Sequence, residues 1–144
     1  MITPELKRRE GYWFEVLTTS RDVTFLGHKE YPWVEFSKLD LSALRDSLPD
    51  KQYYSRRQEI LKQKRGEIRV ALEHLGSGAA PRNPLEQNIY DNMSSLPGGA
   101  EKFRRVAESG ELIWVQTGIR ERMEDGLRAS GRYFPYFEAI LVEK

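Results

Sequence analysis

Apolar and polar positions change period along the chain. Over residues 11–19 the alternation is two-fold, with Tyr12, Phe14 and Val16 on one side and Trp13, Glu15 and Leu17 on the other. Residues 23–26 and 31–36 are further β-prone runs, set off by the turn-like breaks Ser20-Arg21-Asp22 and Gly27-His28-Lys29. Period-two runs rich in aromatic and β-branched residues predict strands, so the first third reads as a three-strand meander. Pro32, near the start of its run, is compatible with a strand's first residues or an edge.

The middle of the chain switches to helical spacing. Asp40 predicts a cap for a short helix that ends before Pro49, and Asp50 a cap for a long helix to Leu75, closed by Gly76 with positive φ. That long helix would measure about 39 Å, and Gly66 inside it costs roughly 1 kcal/mol relative to Ala and marks a bend. Residues 76–82 (Gly-Ser-Gly-Ala-Ala-Pro-Arg) read as a loop. Asn83-Pro84 is a helix start, followed by Leu85, Ile89, Tyr90 and Met93 at helical intervals. Pro97-Gly98-Gly99 opens another helix over residues 100–109. Residues 112–116 then predict a strand, 118–130 a helix and 134–142 a strand, an order that allows a right-handed parallel unit. The whole predicts a single α+β domain over residues 1–144. Its mixed, mainly antiparallel sheet has about five strands, the N-terminal meander plus two C-terminal strands, packed with four to five helices.

Composition narrows the class. A chain of 144 residues with 39% apolar and 31% charged positions can bury a core of its own. It contains no apolar run near the roughly 20 residues of a membrane span, and residues 4–10 are charged with no apolar stretch behind them, so a soluble protein without membrane contact is expected. Zero cysteines exclude disulfides, iron–sulfur clusters, thiolate zinc sites and cysteine nucleophiles, and fit a reducing cytoplasm. Two histidines, His28 and His74, without an H-E-x-x-H pattern give no expectation of a metal or cofactor.

Net charge is +1, yet residues 51–75 carry 7 cations against 3 anions while residues 1–50 carry 7 against 9. On a helical wheel Tyr54, Leu61, Ile68, Leu72 and Leu75 form the expected buried stripe. Arg57, Lys64 and Arg65 fall inside or beside it, and Lys51, Lys62 and Arg69 form a ridge along one flank. Either the cations snorkel and pair with carboxylates of the first third, such as Glu15 or Glu35, or this face receives an anionic partner. Aromatic residues cluster as Tyr12-Trp13-Phe14, Tyr31 with Trp33, Tyr53-Tyr54 and Tyr133-Phe134 with Tyr136-Phe137, and aromatic surface beside Arg suits stacking of nucleobases or a protein interface. A helix start at Thr117-Gly118-Ile119-Arg120 could hold an anion, with Arg120 or Arg122 as side-chain partner. Neither a P-loop nor a dinucleotide fingerprint occurs.

These features predict a non-catalytic binding protein that engages a phosphate-bearing ligand, nucleotide or nucleic acid, through Arg and aromatic side chains: Arg57, Lys64, Arg65, Arg69, Tyr54, Arg120 and Arg122. The alternative is a protein-interaction module, an inhibitor or adaptor with an acidic protein surface as partner, which the balanced net charge favours. A homo-oligomer, most simply a dimer, is expected from the charges interrupting the apolar stripe and the surplus strand aromatics. A second alternative comes from Arg69-Val70-Ala71-Leu72-Glu73-His74, which resembles the Arg-x4-His motif of the helical HEPN ribonucleases. Over these six residues the resemblance implies a metal-free ribonuclease using Arg69 and His74. Val70 stands where that family usually carries a polar residue, and on one helix a five-residue separation places the two side chains about 140° apart. No family is recognised over a larger part of the chain.

Overall fold

The computed structural model describes residues 3–130. Its first element corrects the expected meander: Pro4–Thr18 is a helix, α1, and not a strand over residues 11–19. Thr3 is its N-cap, its hydroxyl accepting from the Leu6 N–H at 3.1 Å, with Pro4 in the first turn and Glu5 where a carboxylate suits the helix dipole. Tyr12 and Val16 fall on one side of a two-residue alternation, and being four apart they also share one face of a helix.

Strand β1 (Val23–His28) pairs antiparallel with β2 (Glu35–Asp40) on one side and β3 (Ile113–Thr117) on the other, in the order β2–β1–β3. The sheet therefore has three strands among the described residues where five were expected. The first expected strand is α1, and the last, at residues 134–142, lies outside the described residues. Residues 31–33 are also not strand: β2 begins at Glu35 because Pro32 lacks an N–H for the ladder and the chain folds over itself, Tyr31 N–H bonding His28 O and Val34 N–H bonding Tyr31 O. A register shift at Leu26/Gly27 accommodates this turn.

Five helices follow α1: α2 (Ser42–Ser47), α3 (Asp50–Gly76), α4 (Pro84–Met93), α5 (Glu101–Glu108) and α6 (Arg120–Ser130). Asn83 caps α4 as expected, its Oδ1 accepting from Glu86 N–H at 2.9 Å. Leu41, not Asp40, is the N-cap of α2; Asp40 stands one residue earlier, its carboxylate accepting from the Ser42 N–H and hydroxyl. Pro49, not Asp50, precedes α3. Gly76 is the last helical residue, buried, and its missing Cβ makes room for the Arg104 side chain; the positive φ belongs to Gly78 at +88°.

The sheet is covered on both faces, which is why all of β1 beyond Val23 is buried. On one face Leu26, Phe36 and Ile113 meet Ile68, Leu72 and Leu75 of α3, Ile89 and Met93 of α4, and Phe103 and Val106 of α5, forming the main core. Towards the other face Phe25 and Trp114 meet Tyr12 and Trp13 of α1. Helix α1 is fixed at its C-terminal end, where Val16 is fully buried and its carbonyl accepts from Ile119 N–H, whereas residues 4–8 stay exposed.

Candidate functional site

The buried stripe of α3 runs Tyr53, Arg57, Leu61, Lys64, Ile68, Leu72 and Leu75, so two cations do interrupt it and both are half-buried. Tyr54 is not in the stripe: it is 54% exposed and Tyr53, at 2%, takes the inner place beneath the Arg45 guanidinium. The expected pairing with carboxylates of the first third is absent among the described residues. Arg57 reaches the buried Thr24 hydroxyl on β1 at 3.4 Å, and Lys64 pairs with Glu67 at 3.0 Å on its own helix. Arg69 pairs with Glu73 at 3.7 Å, while Arg65 is exposed and without a carboxylate partner among the described residues. Arg65 and Arg69 line one open cleft of about 760 Å³ together with Gly66 and the Ser109–Glu111 turn.

At the start of α6 the expected anion site is already filled by the protein. Gly118, Ile119 and Arg120 donate their N–H groups to Val23 O, Val16 O and Thr19 O, each at 3.0 Å. The Glu121 carboxylate accepts from Arg21 N–H at 2.9 Å, and Arg120 pairs with Glu121 and Glu124. Only Arg122 remains exposed there without a partner among the described residues.

Arg69 and His74 go to different neighbours. His74 Nε2 lies 3.1 Å from Ala80 O and 3.6 Å from Glu86 Oε1, at the corner where the 76–82 loop meets α4. Glu86 is 1% exposed and takes four hydrogen bonds from the Arg82 backbone and guanidinium, which hold its carboxyl below the usual carboxylate range. This cluster staples the loop.

The most site-like feature lies between α1 and the sheet, a cavity of about 230 Å³. Cross-strand register sets its floor: Gly27 on β1 has Glu35 on one side and Trp114 on the other, and the next row is Lys38, Phe25 and Gln116. A Cβ on Gly27 would sit 2.9 Å from Val34 O, so the hairpin itself requires glycine there and leaves a bare patch between Glu35 and Trp114. Above it α1 contributes Arg8, Gly11, Tyr12 and Glu15, and the 29–34 turn contributes Pro32 and Trp33. Gly11 has ordinary helical backbone and nothing within 4 Å of where its Cβ would stand. Nothing in the packing requires it, although Gly in a helix costs about 1 kcal/mol relative to Ala.

Two polar atoms of cavity-lining residues are buried and have no hydrogen-bond partner among the described residues: the Trp33 Nε1–H donor and the Glu35 Oε1 acceptor. Burial, reinforced by the nearby Glu15 charge, raises the Glu35 pKa. Burial together with Glu35 and Glu15 pushes the Tyr12 hydroxyl up to about 12, so it stays protonated at neutral pH. Glu15 itself accepts from Lys38 Nζ at 2.7 Å, and that ammonium also lies 5.3 Å from the Phe25 ring centre. The Arg9 guanidinium sits 4.9 Å over Trp33, and Arg8 at the rim has no partner among the described residues.

No family model, curated protein or solved structure matches the chain.

Surrounding elements pin the cavity walls. Asn88 and Asn92 of α4 donate their side-chain N–H groups to the Glu35 carbonyl, at 3.4 and 2.7 Å. The 29–34 turn is anchored by Lys29 N–H to Leu112 O and by the Arg105–Glu30 ion pair at 2.7 Å. Just before it, at the end of β1, His28 is buried, its Nδ1 accepting from Glu30 N–H, and burial lowers its pKa. Tyr31 stacks edge-on between His28 and Trp33. The aromatic clusters at residues 12–14 and 31–33 were visible in the sequence; that Arg8, Gly11 and Glu35 line one cavity was not, because only the fold brings α1 over the β1–β2 hairpin. The one local signal is Gly11 itself, a glycine inside what the Thr3-Pro4 cap marks as a helix. Among the described residues no group of three or more His, Asp or Glu could hold a metal, and no helix is long and apolar enough to cross a membrane.

Proposed function

We propose that the protein is a non-catalytic binding protein for a small phosphate-bearing ligand, seated in the cavity beneath α1. The ligand's ring system lies among Tyr12, Phe25 and Trp33, and its phosphate reaches Arg8 at the rim. What carries this is the cavity itself, walled by Tyr12, Phe25 and Trp33, with Arg8 at its rim lacking a partner among the described residues. Binding without catalysis is favoured because no Ser, Thr or His lines the cavity, and Glu15, the second carboxylate, is held by Lys38. The ligand is bound by Arg and aromatic side chains, as the composition suggests, but by those of α1 and the hairpin turn.

Calorimetric titration tests this with ring-bearing phosphates such as nucleoside monophosphates and naphthyl phosphate. At least one should bind saturably at one site per chain. Arg8→Ala should weaken it by roughly tenfold, the value of one charge-assisted hydrogen bond, without changing affinity for the dephosphorylated compound. Absence of binding by every such phosphate would overturn the proposal.

A protein partner is favoured at a different place, the outer face of α3. There Arg65 lacks a partner among the described residues, Val70 and Tyr54 are more than half exposed, and Gly66 leaves the surface between them low. Charge reversal at Arg65 and Arg69 would abolish such an interaction while sparing ligand binding in the cavity.

A further inference from the structure

We infer that β3 is an interaction edge whose partner is the β3 of a second copy of this chain, paired antiparallel about a two-fold axis at Val115. The two edges of the sheet are treated differently. Along β2 the carbonyls of Glu35 and Phe36 are taken by the Asn88 and Asn92 side chains, so α4 closes that edge. Among the described residues β3 pairs with β1 alone, and its sequence Ile-Trp-Val-Gln-Thr holds no charge, proline or glycine. Exposed strand edges are ordinarily blunted by charges, proline or bulges, because a row of unpaired N–H and C=O groups recruits another strand.

The free groups form a self-complementary set. Lys29 N–H bonds Leu112 O and Gly118 N–H bonds Val23 O. With the β1–β3 register, this alternation turns the backbone of Trp114 and Gln116 towards β1 and that of Ile113, Val115 and Thr117 outwards. Two of the outward groups are already satisfied: Ile113 N–H donates to Gly110 O, and Thr117 O accepts from Gln116 Nε2 at 2.8 Å. Val115 N–H, Val115 O, Ile113 O and Thr117 N–H have no partner among the described residues. A two-fold through Val115 sets that residue opposite itself and Thr117 opposite Ile113 of the second copy. Val115 then exchanges two bonds with its copy, and each Thr117 N–H donates to an Ile113 O. The groups left facing each other, Ile113 N–H and Thr117 O, are the ones each chain satisfies by itself.

Charge order along the edge favours a copy over an unrelated strand. Helix α3 runs beside β3 from Arg57, which holds the Thr24 opposite Thr117, to Arg69, which shares a cleft with Ile113. Lys62 and Arg65 stand by Val115, and Glu108 and Glu111 by Ile113, none of the four in an ion pair among the described residues. The two-fold reverses this order, so the carboxylate end of each trough faces the Lys62 side of the other. On the opposite face Trp114 becomes the neighbour of Gln116 of the second copy at a non-hydrogen-bonded site, where side chains stand closest, which covers the half-buried Trp114 beside Trp13. The expected homo-oligomer thereby gains an isologous interface on the sheet edge instead of on α3.

Sedimentation of the full chain from micromolar to near-millimolar concentration, with amide hydrogen exchange measured at both ends of that range, tests this. We expect a monomer-dimer equilibrium in which the Val115 and Thr117 amides exchange freely in the monomer and are protected in the dimer, while Trp114 and Gln116 are protected in both. Val115→Pro removes the central donor at a position whose N–H takes no part in the β1 ladder. It should raise the dimer dissociation constant at least about hundredfold, two hydrogen bonds at roughly tenfold each. If that variant fails to fold, the exchange pattern of wild type decides alone. A monomer at every concentration would overturn the inference. So would a dimer whose Val115 and Thr117 amides stay unprotected, or whose dissociation constant is unchanged in folded Val115→Pro. Protection of both amides in the monomer would show that the edge is covered within the chain, and would overturn it as well.

Discussion

Glu35 combines two facts that pull against stability: it is partly buried and its Oε1 has no hydrogen-bond donor. Its folded-state pKa is raised above the ordinary value near 4.5, so the folded protein binds this proton more readily than the unfolded chain does. By linkage, this residue's contribution to stability falls as pH rises from about 4.5 through the raised value, and is least favourable at neutral pH. Glu35→Gln, which cannot ionise, should therefore be more stable than wild type at pH 7. The difference should shrink as pH is lowered through the raised value, read as the change in denaturation midpoint of both proteins across a pH series. A constant difference at all pH values would mean that the carboxylate is solvated in solution. Gly11→Ala makes the complementary case. It should stabilise the fold by about 0.5 to 1 kcal/mol, and raise the melting temperature by roughly 1 to 4 °C, while weakening the binding proposed for the cavity by filling the space above Gly27.

Glycines at the level of elements divide in the same way. A Cβ on Gly118 would collide with the backbone carbonyl oxygens of both Thr19 and Ser20, so α6 docks on the end of α1 only because that residue has no side chain. Gly118→Ala should cost at least about 1 to 3 kcal/mol in a denaturant melt, since backbone on both sides would have to move. Gly66→Ala, in the exposed middle of α3 with nothing within 4 Å of its Cβ, should instead gain about 1 kcal/mol. Sequence alone separates neither pair, because the distinction is made by residues far away in the chain. Local signals were legible where they are self-contained. Asn83-Pro84 fixed the start of α4, and the apolar spacing of Ile68, Leu72 and Leu75 fixed the inner face of α3. Thr3-Pro4-Glu5 is the same kind of start signal as Asn83-Pro84, and was outweighed by the aromatic alternation that follows it. Tyr12, Trp13 and Phe14 have strand-like propensity, yet the N-cap and the burial of Val16 against α6 decide for helix. The cavity was illegible for the same reason: it exists only once α1 is a helix crossing the hairpin.

For the molecule as a whole, the basic excess of residues 51–75 and the cavity lie on different surfaces, and they make separable claims on a ligand. Most of α3's cations are accounted for within the fold: Arg57 by Thr24, Lys64 by Glu67, Arg69 by Glu73 and Arg56 by Glu59. Arg57 is half-buried against β1, so Arg57→Glu should lower the melting temperature, whereas Arg65→Glu, exposed, should leave it within about 2 °C, because surface charges contribute little. Ligand-linked melting then locates the binding surface. A ligand that binds only the folded state adds about 2.7 kcal/mol at a hundred times its Kd, which for a chain of this size is roughly 5 to 11 °C. If the phosphate-bearing ligand enters the cavity, the shift should persist undiminished in a chain carrying both Arg65→Glu and Arg69→Glu, and shrink in one carrying Arg8→Ala at the same ligand concentration. The reverse pattern would move the ligand to the cleft beside Gly66, where Arg65 and Arg69 line the opening.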